Sequence, residues 1–159
     1  MIKKNILVGL IILILTSGLF ILTGCGNNEN IDQSTTSNLS TKLDNDGTVN
    51  KLHFKYSSNA NLKDSTNGKI IENENYKVIV SHQKEKTLEE LEKSRSYTSI
   101  NTDKTEWKKF SYKDEQVSSI VYMYERDNGT YVITFTQEAG SNINIDNEIE
   151  EFMNNIKFE

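Results

Sequence analysis

Apolar and polar positions alternate from Lys51 to Ser57, where Leu52, Phe54 and Tyr56 are separated by His53 and Lys55. That two-residue period predicts an opening strand with one buried face. Asn61–Lys69 (NLKDSTNGK) breaks the alternation and reads as a polar loop. Val78, Ile79 and Val80 then follow one another without a polar residue, which predicts a central strand covered on both faces. Thr87-Leu88-Glu89-Glu90 has the spacing of a capping box, with the threonine hydroxyl on the third helical amide and the glutamate reaching back, so a short helix is predicted over LEELEKS. After it, TEWKKFSYK carries Trp107, Phe110 and Tyr112, which would share one side of a strand if the chain bends between Trp107 and Phe110.

The strongest local signal is SSIVYMYERDNGTYVITFTQE. Asn128-Gly129 has the composition of a two-residue hairpin turn, because both residue types tolerate positive φ. Centring the turn there sets Arg126 opposite Tyr131, Tyr124 opposite Ile133 and Tyr122 opposite Phe135, with one face of the hairpin aromatic and aliphatic. The last periodic segment places Ile149, Phe152, Met153 and Ile156 on one stripe after Asp146, which serves as the expected N-cap, with acidic residues in the first turn. This helix is expected to pack on the sheet.

Before all of this the pattern is of another kind. Lys3 and Lys4 precede a run from Ile6 to Leu22 without a charge, the layout of an export signal. The run closes in Leu22-Thr23-Gly24-Cys25, which resembles the lipobox of bacterial lipoproteins: an aliphatic residue, two small residues, and the cysteine that receives a diacylglyceryl group. The resemblance implies a signal peptide over residues 1–24, lipidation at Cys25, and a protein held at the cell membrane on its extracytoplasmic face. It also accounts for the chain's single cysteine. From Gly26 to Thr48 the residues are mostly Asn, Ser, Thr, Asp and Gly, without a period. Residues 25–48 are therefore expected to form the lipidated cysteine and a flexible tether, with a random-coil span of roughly 25 to 30 Å. Residues 49–159 are then one globular domain, long enough for a single core.

Charge narrows the partners. The whole chain carries −5; loss of residues 1–24 removes Lys3 and Lys4 from 18 basic residues against 23 acidic ones and leaves −7. Such a chain lacks the basic footprint that nucleic acid demands. Membrane attachment must come from acyl chains on Cys25, since charge would repel anionic lipid. With no second cysteine, the domain is stabilised by packing and not by a disulfide.

Little in the chain announces catalysis. His53 and His82 are the only histidines, and no His-x-x-x-His or cysteine pair accompanies them, so they read as solvent-facing strand residues and no metal or cofactor is expected. No Gly-x-Ser-x-Gly turn exposes a nucleophile and no glycine-rich loop cradles phosphate. Paired carboxylates such as Glu89/Glu90 and Glu150/Glu151 fall on polar helix faces. Aromatic side chains remain as the binding candidates. Tyr122, Tyr124 and Phe135 are assigned to the core, and Trp107, Tyr112 and Tyr131, nearer edges and turns, to a partly exposed patch for a ligand or partner.

The order of elements from Lys51 to Phe158, with TLEEL after a strand, the aromatic hairpin and the NNIKF ending, resembles the PsbP-like α/β/α sandwich, a fold that also occurs in small bacterial lipoproteins. Tyr56-Ser57-Ser58 departs from that pattern by lacking a proline and a bulky aromatic residue. The resemblance implies an α+β class, an antiparallel sheet with helices packed on it, and a non-catalytic accessory or assembly role. The expected function is thus a membrane-anchored binding or accessory module engaging an envelope protein or small ligand. The alternatives are a structural envelope or spore-coat interaction protein, or a tethered enzyme.

Overall fold

Antiparallel pairing dominates the computed structural model, which describes residues 42–159. Strands hold 52% of those residues and helices 13%. The smaller sheet has the order β1 (Leu43–Val49), β2 (Leu52–Ser57), β10 (Lys157–Phe158). The larger runs β3 (Asn61–Ser65), β4 (Gly68–Glu72), β5 (Lys77–Lys84), β9 (Gly129–Glu138), β8 (Val117–Glu125), β7 (Lys108–Lys113), β6 (Thr98–Ile100). Two short helices complete it, α1 (Leu88–Lys93) and α2 (Asp146–Asn154). The expected α+β class and PsbP-like α/β/α sandwich are therefore incorrect: the chain is mostly β, and its main core lies between two sheets. A helical layer would need long amphipathic segments, and the two helices offer six and nine residues.

Alternation explains which face is which. On β5, β8 and β9, Val78, Val80, Tyr122, Tyr131, Ile133 and Phe135 point into the main core, where β2 contributes Leu52 and Phe54 and α2 contributes Ile149, Phe152 and Met153. Phe152 joins the layers, stacking on Phe54 at 5.7 Å and meeting Phe135 edge-on at 5.4 Å. Full burial of such a side chain stabilises by about 1.5–3 kcal/mol. The opposite face of the large sheet carries Phe110, Val121 and Met123, covered by Leu88 and Leu91 of α1 with Tyr97 beside them. The capping box forms as expected, the Glu90 amide donating to the Thr87 hydroxyl and the Thr87 amide to the Glu90 carboxylate.

Several boundaries move. The tether expected up to residue 48 ends earlier, because Leu43–Val49 is a strand paired with β2; the earlier part of that tether, with Cys25 and the signal segment, lies outside the described residues. Phe54 lies across Gly47 of β1, where a Cβ would come within 2.3 Å of its ring. The expected loop at 61–69 is the β3–β4 hairpin, held across the strands by Lys63–Glu72 and Lys69–Asp64 ion pairs and by Leu62 opposite Ile71. Trp107 and Phe110 do not share a side: the tryptophan joins the main core and Phe110 the α1 face. Asp146 is the first helical residue of α2 and not its cap; its amide donates to Asn144 Oδ1 at 2.8 Å.

The hairpin turn is displaced by one residue. Asp127 and Asn128, at φ 57° and 56°, form its two-residue loop, and the Arg126 amide donates to the Gly129 carbonyl. Tyr124 therefore faces Tyr131, Tyr122 faces Ile133 and Ile120 faces Phe135. Gly129 is spent elsewhere: it pairs with Lys84, and a Cβ there would lie 2.6 Å from the Gln83 carbonyl oxygen and 2.8 Å from His82 Nε2. Close approach of β5 reserves the glycine, and the Asp-Asn pair supplies the left-handed turn.

Candidate functional site

The aromatic patch expected from Trp107, Tyr112 and Tyr131 does not exist as one surface. Tyr131 is 0% exposed and Trp107 9%, and both adjoin Phe158, at 5.0 and 6.3 Å between ring centres. Tyr112 is half-buried on the α1 face, where its hydroxyl donates to Asp114 at 2.8 Å and the Arg95 guanidinium lies over its ring. The reason is β10: Phe158 folds back beside β2 and covers residues that the hairpin alone would leave open.

What the fold does assemble is a polar cluster at one end of the sandwich. All four non-glycine residues with positive φ among those described gather there: Asn50 in the β1–β2 turn, Glu85 after β5, and Asp127 and Asn128 in the β8–β9 turn. Asparagine and aspartate tolerate that conformation; glutamate does so at a cost. Asn50 Nδ2 donates to the Tyr131 hydroxyl at 3.1 Å, which in turn donates to Asp127 Oδ2 at 3.1 Å. Lys51 Nζ reaches Asp127 Oδ1 at 3.3 Å, and Arg126 Nε lies 3.6 Å from Oδ2. The Arg126 guanidinium also covers the Phe158 ring at 4.5 Å.

His82 belongs to this group and is not the free strand residue expected. Its ring packs on Tyr131 at 4.3 Å. Nε2 lies 3.3 Å from the Arg126 carbonyl and Nδ1 3.4 Å from Asn50 Nδ2, so both ring nitrogens face turns from other segments. His53, on β2, contacts Thr48 through Nδ1 and Glu159 through Nε2.

Electrostatics favours this arrangement. Burial alone would raise the Asp127 carboxyl, but the hydrogen bonds from Lys51 and Tyr131 and the Arg126 charge outweigh it and hold the pKa below the ordinary value. The Tyr131 phenol is pushed up, by burial first and by its bond to Asp127 as well.

Beside the cluster lies an open depression of about 320 Å³, lined by Glu85, Lys86, Thr87, Glu125, Arg126 and Asn128 with Gly129. Its walls are tied together: the Glu85 amide donates to the Asn128 carbonyl, the Thr130 hydroxyl to the Lys86 carbonyl and the Leu88 amide to Glu125 Oε2. Both charge signs line it, so it suits polar recognition of a partner bearing both. The hydrogen-bonding groups of His82, Tyr131 and Asp127 are engaged with one another and with neighbouring turns, and among the described residues no group of three His, Cys, Asp or Glu converges. Sequence reading missed this cluster because Asn50, His82, Asp127 and Phe158 come from four distant segments; the available hint was the density of turn-forming residues at Asn50 and at Asp127-Asn128.

No protein-family model and no curated protein sequence matches the chain. Among solved structures it is similar to a crystal structure from Bacteroides thetaiotaomicron VPI-5482, with 16% identity and a TM-score of 0.49, over 69% of this chain and 45% of that one. The chain spans less than half the length of that protein, and no function follows from the likeness.

Proposed function

We propose that the protein is a lipoprotein held at the extracytoplasmic face of the cell membrane by acyl chains on Cys25, and that its folded domain is a non-catalytic binding or accessory module. The observation that carries this reading is the sequence Leu22-Thr23-Gly24-Cys25 closing an uncharged apolar run, with the chain's only cysteine at its end. One acyl chain binds a bilayer marginally and two or more hold it stably. Among the described residues no helix is long and apolar enough to cross a membrane.

Geometry supports the binding half. The chain enters the described fold at Lys42, just before β1, whose far end is the Asn50 turn. At about 3.3 Å per residue, the cluster and its depression lie roughly 20 Å from that entry point. The hydrogen bonds through Tyr131 and His82 tie the Asn50 turn to the Asp127-Asn128 turn and leave the groups of the cluster engaged, which favours recognition over proton transfer.

Metabolic labelling with a fatty-acid analogue tests the anchor: label and membrane association are both expected in the native chain and both lost in Cys25→Ala. Label persisting in Cys25→Ala would overturn the assignment. A photo-crosslinker at Asn128 is expected to capture a discrete partner from native membranes, and one at Asp44, near the chain entry, is not.

A further inference from the structure

β10 is held to the rest of the molecule by little. It is two residues long and, among the described residues, pairs on one side only, Lys157 with His53 and Phe158 with Leu52 of β2. Beyond that ladder, the Glu159 amide donates to the Lys51 carbonyl at 3.0 Å and Glu159 Oε1 lies 2.9 Å from His53 Nε2. Arg126 Nη2 donates to the Glu159 carbonyl at 3.4 Å, and its guanidinium covers the Phe158 ring. Exposed ion pairs and cation–aromatic contacts are individually weak. The helix before β10 is secured separately. It buries Ile149, Phe152 and Met153 and closes at Asn155, whose amide donates to the Phe152 carbonyl and whose side chain donates to the Glu151 carbonyl. Swinging β10 outward therefore needs rotation at Asn155-Ile156 and leaves α2 in place.

Beneath Phe158 is a three-sided aromatic socket. The ring meets Tyr131 edge-on at 5.0 Å and Tyr124 edge-on at 5.4 Å, and it stacks on Trp107 at 6.3 Å. Trp107 and Tyr131 are buried beneath a ring that is itself only partly buried. We propose that β10 is a displaceable strap, and that the place it occupies is the docking site of a partner's extended segment carrying an aromatic residue followed by an acidic one. β10 itself shows what fits: Phe158 fills the socket, and Glu159 lies among Lys51, His53 and Arg126, so basic side chains match a carboxylate after the ring. Strand addition of this kind draws affinity from main-chain hydrogen bonds and specificity from a side-chain pocket. The edge of β2 at Leu52 and His53 supplies the first and the socket the second. Elements that move on binding come from the least stable part of a fold, and two residues on a sheet edge meet that condition. Arg126 joins this site to the depression, since it lines one and covers the other. The inference rests on the domain being a binding module and gives the chemistry of its partner.

Trp107 is the chain's only tryptophan and lies under the strap, so its fluorescence reports the socket directly. In the full chain in detergent, Phe158→Ala should raise acrylamide quenching of Trp107 by about threefold or more and lower the unfolding midpoint by less than Phe135→Ala does. A peptide spanning Asn154–Glu159 should restore the native quenching in that variant. The same peptide with Phe158→Ala should not, and one with Glu159→Lys should bind more weakly. The unaltered peptide should bind the native chain at least about tenfold more weakly than the variant, because the strap competes with it. Quenching unchanged by Phe158→Ala, a midpoint loss as large as that of Phe135→Ala, or no restoration by the peptide would each overturn the proposal. Dimerisation of the native chain that Phe158→Ala abolishes would make a second copy the occupant and overturn the assignment to a partner. Hydrogen exchange needs no variant: the protection of the Glu159 amide should be at least about tenfold lower than that of the Ile149 amide in α2. Equal protection would mean that strap and helix open together, and would also overturn it. None of these readouts uses Cys25 or the crosslinker at Asn128, so failure here is separable from failure of the binding-module reading.

Discussion

The two faces of the seven-stranded sheet are covered by different means. On one, the small sheet and α2 close over Val78, Val80, Tyr122, Tyr131, Ile133 and Phe135, and α2 buries Ile149, Phe152 and Met153 as it does so. On the other, α1 lies over Phe110, Val121 and Met123, and none of its own residues is fully buried. Both helices are short and capable of only marginal stability alone. The difference lies in what stands behind them. α2 is wedged against β2 and completes a closed layer, whereas α1 rests on a local apolar spot of an otherwise polar face. Stability of this chain is therefore expected to be concentrated on one side of the sheet.

That asymmetry can be broken most strongly at Phe135. Truncation to Ala removes a fully buried ring that contacts both Tyr122 and Phe152, and a cost of about 3–5 kcal/mol is expected by chemical denaturation. A loss below 1 kcal/mol would mean that the two sheets do not share this core. Tyr131→Phe keeps the ring and deletes the hydroxyl that serves Asn50 and Asp127; leaving those groups without their partner should cost about 1–3 kcal/mol. The expectation from sequence that Tyr131 sits exposed beside the turn would instead give a negligible change, so this variant separates the two descriptions. Leu91→Ala, on the α1 face, should be the mildest at about 1–2 kcal/mol, because that side chain is only partly buried. Equal losses for Phe135→Ala and Leu91→Ala would remove the distinction between the faces.

Legibility followed the strength of local patterns. The capping box, the β5 run, the aromatic hairpin and the apolar stripe of α2 were all readable, since each is set by residues close together in the chain. The hairpin is instructive because its turn lies one residue from the expected place and its faces are still right. Moving a two-residue turn by one position shifts each cross-strand pair by two, and two is the period of a strand, so Tyr122, Tyr124, Tyr131 and Phe135 keep their side. β1 was read as tether because LDNDGTV buries only Gly47 and Val49 and owes its strand conformation to pairing with β2. The β3–β4 hairpin was read as loop because charged pairs hold it across the strands, and such pairs have no sequence period.

Local order thus determined the elements: alternation named the buried side of each strong strand, the Thr87–Glu90 spacing started α1, and the residues around Cys25 carry whatever the chain tells of its address. Tertiary structure decided the layers and the site. Whether Trp107 and Tyr131 face solvent depends on Phe158 returning from the far end of the chain, and whether Asp127 is paired depends on Asn50 and Lys51 arriving from the first hairpin. Such contacts join segments some 30 to 80 residues apart. No periodicity within a window of a dozen residues encodes them; they follow from two sheets closing over a common set of apolar side chains.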